Sequence, residues 1–317
     1  MDFYSSDGFL EVLAKAYYPE DKHSVELVRA GDKVLRLLVL NDRDVIRIST
    51  FYDYIVPVSS PSPGECRRSI GYAERVVLGT VSKEEWFAEP REEVTPAPYI
   101  DWAQFPDYEA YLAYIKTQHK RLLGDYARRR RRLCENHGVL TFCAHDDGDD
   151  VLPLAREWKV RQLIRTGADN YYDDERNSEF LSGLQQRGLL SCSTLRADGR
   201  LLAVWVGFVH GEKWSGWVFT YDPDEELKKY SLGHQLLQSM IRHSFEAGHR
   251  EFDFSIGGED YKWIYSTHAR LLGAVGRQKL SIRLEKRFRS VVRKTVNSSP
   301  ALRNLERMLR RPNETYV

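Results

Sequence analysis

The run Lys228-Lys229-Tyr230-Ser231-Leu232-Gly233-His234-Gln235-Leu236-Leu237 holds the most suggestive chemistry in the chain. It leads from a strand into an amphipathic helix whose apolar residues recur at Leu236, Leu237, Met240, Ile241 and Phe245. A glycine-opened turn there leaves backbone N–H groups unpaired at the helix start, where the positive end of the helix dipole also lies. Such donors suit a phosphate or pyrophosphate, with Ser231 either capping the helix or adding a donor. The same residues also describe an ordinary capped helix, and by themselves they leave both readings open. Downstream, Asp253 stands between Phe252 and Phe254. Strand alternation turns its carboxylate to the face opposite the two rings. Tyr261 and Lys262 follow a glycine-bearing loop, and His210 and His234 add imidazoles of a type that titrates near neutrality.

The elements that must position these residues are legible in the second half. Residues 189–195 read as a strand, 197–199 as a hairpin turn, 201–209 as the return strand and 213–221 as a third strand. In that third strand Trp214 and Trp217 fall on opposite faces, so one packs in a core while the other lines an acyl or acceptor channel. A helix over 231–247 closes at Gly248, a strand follows at 251–255, then a short element at 261–265 and a last strand around 275–282. Upstream, a single long helix is expected over 108–136, carrying the five arginines Arg128 to Arg132. A strand at 139–144 and helices at 151–165 and 177–187 follow. The first hundred residues read as mixed α/β: a helix at 7–18, strands at 25–29, 33–40 and 45–48, and a loop at 57–64. The polar, proline-bearing stretch 89–98 reads as a domain boundary.

From residue 189 to about 276 the order of motifs resembles the CelD-like and FemAB-like acyltransferases of the GNAT superfamily. The resemblance rests on Val218-Phe219-Thr220-Tyr221-Asp222-Pro223, Tyr230-Ser231-Leu232-Gly233 with Leu236-Leu237, Ala247-Gly248, Phe252-Asp253-Phe254, Gly258, and Tyr261-Lys262. It implies an α/β fold of two GNAT-like halves, each a mostly antiparallel mixed sheet flanked by helices. Residues 1–105 would form the first half, 106–283 the second, and 284–317 a basic helical tail. It further implies acyl transfer from acyl-CoA, or from the phosphopantetheine of an acyl carrier protein, to an amine of a small molecule, sugar or peptide. In that case Val218, Phe219 and residues Tyr230, Ser231, Leu232, Gly233, His234, Gln235 and Leu236 hold the donor. Asp253 orients or deprotonates the amine, Tyr261 protonates the leaving thiolate, and Lys262 neutralises charge. Trp214, Trp217, Tyr221 and His210 line the substrate. The loop departs from the superfamily's usual form in holding one glycine followed by His234. Two other readings are a FemAB-type transferase using aminoacyl-tRNA and a non-catalytic GNAT-like module in polysaccharide export.

Composition narrows the classes. The 317 residues include seven Trp and eighteen Tyr, which argues for packed cores rather than disorder. Cys66, Cys134, Cys143 and Cys192 form no C-x-x-C and no zinc-finger spacing, so neither a metal nor a disulfide framework is expected. The acidic turn 145–150 lacks the spacing of a calcium loop, and no G-x-S-x-G occurs. No signal peptide or membrane-length apolar run is read, and a cytoplasmic protein is expected. Residues 279–311 hold eleven Lys or Arg against two Glu, a net of +9, which leaves −8 for the rest of a chain whose total is +1. Such a tail fits an acidic carrier protein or peptide first, a membrane surface next and tRNA last.

Overall fold

The strand with the longest apolar run in the chain lies deep inside a large sheet, and the rest of the architecture follows from covering both of its faces. The computed structural model describes residues 2–276 except 41–49, 60, 62–63, 67, 90 and 92–93. The strand expected at 45–48 and the basic tail lie outside the described residues, as does most of the strand expected at 275–282.

In chain order, α1 (Asp7–Tyr17) is capped by Ser6, and the expected strands β1 (His23–Ala30) and β2 (Lys33–Leu40) pair as a hairpin, with β3 (Arg68–Ile70) parallel to β1. Next come β4 (Tyr72–Ser82), α2 (Lys83–Ala88), β5 (Thr95–Asp101), α3 (Tyr108–Gln118), α4 (Leu122–His137) and β6 (Leu140–Cys143). Helices α5 (Val151–Thr166) and α6 (Glu175–Gln186) precede the meander β7 (Ser191–Ala197), β8 (Arg200–His210) and β9 (Lys213–Tyr221). The chain continues with α7 (Leu232–Glu246), β10 (Glu251–Asp253), α8 (Asp260–Tyr265) and β11 (His268–Gly276). The class is mixed α/β, as the sequence implies. One sheet has three strands, in the order β2-β1-β3, and the other has eight, in the order β4-β11-β5-β10-β9-β8-β7-β6. Strands from either side of residue 105 therefore share the larger sheet. Among the described residues no helix is long and apolar enough to cross a membrane.

β8 is buried on both faces. Val204, Val206 and Phe208 join a core with Phe9 and Leu13 of α1, Trp158 of α5 and Phe180 of α6. Ala203 and Trp205 join the opposite core with Tyr111 and Ile115 of α3, Leu133 of α4, and Leu236, Leu237 and Met240 of α7. A strand covered on both faces reads as a continuous apolar run rather than an alternating one.

Two expectations are corrected. The helix expected over 108–136 is two helices, α3 and α4, with His119 between them at φ −133° and ψ 66°. Residues 116–121 (Lys-Thr-Gln-His-Lys-Arg) offer no apolar side chain to hold a helix on the core. The Thr117 hydroxyl also donates back to the Tyr114 carbonyl at 2.7 Å. The stretch 89–98 is not simply a break, because β5 begins at Thr95 and lies between β11 and β10. Its prolines lack N–H groups, yet their carbonyls serve: Pro98 O accepts from Phe254 N at 3.0 Å and Pro96 O from Gly257 N at 2.9 Å.

Those prolines also shape the gap in the sheet. β10 runs parallel to β9 only through Lys213↔Glu251, Trp214↔Phe252 and Ser215↔Asp253. Beyond Asp253, Pro98 cannot return a hydrogen bond, so β10 stops and the chain leaves through Ser255 (φ 64°) and Gly257 (φ 119°). β9 continues to Tyr221 paired with β8 alone. A register shift next to Gly207 gives β9 one extra residue, Trp217, between Gly216 and Val218. Gly216 faces the Trp205 indole so closely that a Cβ would overlap its ring nitrogen. Gly216→Ala should therefore cost about 1–3 kcal/mol. At about 2–4 °C per kcal/mol, thermal unfolding would register a fall of several degrees. An unchanged Tm would show that β9 can move away from Trp205.

Candidate active site

A cavity of about 700 Å³ occupies the gap between β9 and the segment that follows β10. Gly216, Trp217, Val218, Phe219 and Tyr221 form one wall, and Phe254, Ser255, Ile256, Glu259, Tyr261 and Lys262 form the other. Its lining draws on both cores. Phe51 and Val218 belong to the core under α1 and α5, whereas Trp205, Leu227 and Leu232 belong to the core under α7.

At the α7 end lie Lys228, Ser231, Leu232, Gly233 and His234. The first backbone bond of the helix is Gln235 N to Ser231 O, at 3.1 Å. Among the described residues, the N–H groups of Leu232, Gly233 and His234 have no protein acceptor, so three donors stand at the positive end of a fifteen-residue helix. Ser231 does not cap the helix. Its left-handed backbone, φ 55° and ψ 54°, makes no side-chain cap bond, and its hydroxyl instead accepts from the Arg129 guanidinium. Gly233 leaves room: a Cβ would meet Phe219 at 3.0 Å and Tyr221 at 3.5 Å. His234 stacks on Tyr126 at 4.5 Å and hydrogen-bonds through Nδ1 to the Tyr265 hydroxyl at 3.1 Å. Burial, with Arg129 adding to it, pushes this imidazole down to about 4, so it is neutral at physiological pH.

At the α5 end the lining is Thr50, Phe51, Asp53, Lys159, Gln162, Tyr171 and Trp217. Phe51 packs edge-on against Tyr171 at 5.6 Å and tilted against Trp217 at 5.8 Å, forming an aromatic corner. Asp53, 4% exposed, accepts hydrogen bonds from the hydroxyls of Tyr4, at 3.1 Å, and Ser255. Burial raises its carboxyl to about 7 against the opposing pull of Arg75, the Tyr4 hydroxyl and Lys262. A carboxylic acid poised near neutrality inside a cavity has the properties of a general base. Sequence reasoning missed Asp53. The signal available was an acid inside an aromatic run, Phe51-Tyr52-Asp53-Tyr54.

The structure gathers ten of the expected residues around this cavity: Trp217, Val218, Phe219, Tyr221, Ser231, Leu232, Gly233, His234, Tyr261 and Lys262. Lys262, 4% exposed, donates to the Ile256 carbonyl at 2.6 Å and pairs with Glu259 at 3.0 Å. Burial raises the Tyr261 hydroxyl well above its ordinary value. The other expected residues lie outside the lining. Tyr230 is buried, its hydroxyl accepting from Asn136 at 2.8 Å. Gln235 is buried and donates to the Tyr126 and Tyr230 carbonyls, while Leu236 is core. Trp214 is enclosed by His145, His243, His249 and Phe252. His210 packs edge-on against Phe3.

Asp253 sits behind the cavity wall, fully buried. It pairs with Lys213 at 3.2 Å and Arg270 at 3.6 Å, and accepts from the Tyr54 hydroxyl and from Ser255 N at 2.8 Å. Burial pushes its carboxyl up, but the two cations and the two hydrogen bonds outweigh that and hold it below the ordinary value. The arginine run on α4 divides: Arg129 reaches Ser231, and Arg128 pairs with Asp125 of its own helix at 2.9 Å.

Residues 124–263 match the family model of the acetyltransferase (GNAT) domain. This stretch holds most of α4, β6, α5, α6, the β7–β9 meander, α7, β10 and the cavity lining except residues 50–53. No curated protein gives a significant match. Among solved structures, the chain is similar to a conserved protein of unknown function from Bacteroides thetaiotaomicron, with 9% identity and a TM-score of 0.48. That alignment covers 86% of this chain and 90% of that one. FemX gives 10% identity and a TM-score of 0.47, covering 86% and 91%. L-PGS from Bacillus licheniformis gives 11% and 0.44, covering 90% and 95%.

The two buried carboxylates are expected to behave oppositely. Asp253→Asn leaves Lys213 and Arg270 without their shared anion and should cost about 3–5 kcal/mol in thermal or denaturant unfolding. For Asp53, a carboxyl raised in the folded state contributes stability that is complete at about pH 4 and lost as pH rises through about 7. Asp53→Asn removes that loss, so the variant should gain on the native protein from about pH 4 to about pH 7 and level off above it. Parallel stability–pH curves for the two proteins would show that Asp53 ionises normally.

Proposed function

We propose that the chain is a GNAT-type N-acyltransferase that moves an acyl group from acyl-CoA, or from a carrier protein's phosphopantetheine, to an amine. The observation that supports this best is one cavity with three unpaired N–H donors at one end and a near-neutral carboxyl at the other. The match of residues 124–263 to the GNAT domain supplies the reaction class. The donor end fits such a group chemically. Leu232, Gly233 and His234 offer N–H groups to a phosphate, Arg129 stands beside them through Ser231, and the missing Cβ of Gly233 leaves a cradle against Phe219. The edge of β9 at Val218 and Phe219, unmatched by β10, suits an extended amide-bearing arm.

When bound, the thioester supplies the acyl group: a C–N bond to the amine forms, the C–S bond breaks, and the sulfur leaves as a thiol. The protein's part is positioning and proton management. Asp53 takes a proton from the acceptor ammonium, because only the neutral nitrogen carries a free lone pair. The Tyr261 hydroxyl, kept protonated by burial, donates toward the leaving sulfur, and the nitrogen's surplus proton completes the balance. Lys262 supplies positive charge near the carbonyl oxygen. Asp253 acts as a positioning residue through Ser255, whose N–H it holds while the Ser255 hydroxyl reaches Asp53. Acyl-CoA and carrier proteins are cytoplasmic donors, and the cytoplasm is the compartment this reading requires.

The test is thermal unfolding with CoA, acetyl-CoA, a long-chain acyl-CoA and deacylated tRNA at two salt concentrations. A donor present at about 100 times its Kd should add about 2.7 kcal/mol. Gly233→Trp, which fills the cradle, should abolish the shift while leaving the ligand-free Tm within a few degrees. Salt-sensitive stabilisation by tRNA alone would replace this reading with an aminoacyl-tRNA donor.

A further inference from the structure

The charges at the α5 end of the cavity do not cancel. Lys159 and Lys262 both line it, and the nearest carboxylate, Glu259, pairs with Lys262 at 3.0 Å. Lys159 Nζ instead donates to two neutral oxygens, Gln162 Oε1 and Phe219 O, each at 3.3 Å. Among the described residues it forms no ion pair. Burial depresses its ammonium below the ordinary value, Glu259 acts in the other direction, and Lys262 adds to the lowering. The remaining charged groups in the lining are committed elsewhere. Asp222 pairs with Arg200 at 2.7 Å, Lys228 pairs with Glu225, and burial favours the neutral form of Asp53. A half-buried cation facing a cavity with no counter-ion is costly unless a ligand brings one.

The donor's phosphates do not meet that need. Their natural seat is the α7 N-terminus, in the core on the opposite side of the sheet from α5. Lys159 lies on α5, whose Trp158 packs in the same core as the aromatic corner of Phe51, Tyr171 and Trp217, and Asp53 lines the same cavity. We infer that the acceptor carries an acidic group, a carboxylate or a phosphate, near its reacting amine, with Asp53 receiving the ammonium and Lys159 the anion. The aromatic corner then packs against whatever apolar part the acceptor has. The word acceptor rests on the transferase reading, but the charge preference of the site does not, and the two are separable by measurement.

The experiment uses the full chain and matched probes that differ in one acidic group: L-phenylalanine against L-phenylalaninamide, and phosphoethanolamine against ethanolamine. Binding is followed by tryptophan fluorescence, since Trp205 and Trp217 line the cavity. Turnover is followed separately by thiol release from acetyl-CoA. At least one acidic member should bind about ten- to a hundredfold tighter than its neutral partner, the range of hydrogen bonds to charged groups. The phenylalanine and phosphoethanolamine arms tell carboxylate from phosphate. Lys159→Gln should collapse that ratio to near one, and Lys159→Arg should restore most of it. The inference is overturned if neutral and acidic members bind alike, if Lys159→Gln weakens both equally, or if none of the four probes binds. Failure of CoA to bind or of thiol to appear, with the charge preference intact, would remove the transferase reading and leave the acidic-amine site standing.

Discussion

Pro98 has no N–H to give, and the ladder between β5 and β10 ends where the cavity begins. Phe254 can donate to its carbonyl, but the return bond that would extend the ladder cannot form. β10 pairs through three residues, β9 runs on with one partner, and a wedge opens in the middle of an eight-stranded sheet. Proline inside a sheet ordinarily weakens it. Here the weakness is confined to one place and closed off at the apex by charge. Lys213 on β9, Asp253 on β10 and Arg270 on β11 meet in a buried cluster with Tyr54, and Arg270 also holds Glu251. The wedge is open above this cluster and pinned shut below it.

That arrangement explains how two carboxylates joined through one residue come to differ so much. Ser255 gives its N–H to Asp253 and its hydroxyl to Asp53. Both acids are buried, so desolvation acts on both in the same direction. The difference lies in their neighbours. Two cations in ion-pair contact keep Asp253 ionised, whereas Asp53 has mainly hydroxyl partners and more distant cations, and it settles near neutrality. A fixed anion therefore supports the loop while a labile one faces the cavity.

The sequence carried the part of this structure that follows from periodicity. The β7–β9 meander, α7 with its glycine terminator and the Ser231–His234 loop were legible because alternation, helical spacing and turn residues all agreed. The residues it misplaced are those whose roles depend on distant chain. Proline punctuation at 89–98 looks like a boundary, and only the strands arriving from residues 251 and 268 make 95–101 a central strand. Asp253 looks catalytic on a period-two argument, which gives its face but not the lysine and arginine that enclose it. Asp53 lies about 200 residues from Ser255 and in an unrelated part of the sequence, so no local pattern could pair them. The interruption at His119 was hidden because apolar spacing is in phase on both sides of it.

One consequence of a cavity that borders both cores concerns the order of events. Its α7 end and its α5 end lie on opposite sides of the sheet, with the wedge as the passage between them. Under the transfer reaction proposed above, two reactants arriving from opposite sides have no need to displace one another, and no side chain has to hold the acyl group between their visits. Such a geometry favours a ternary complex with steady-state kinetics of the sequential kind, in which either reactant can be first to dock and neither product has to depart before the second reactant arrives.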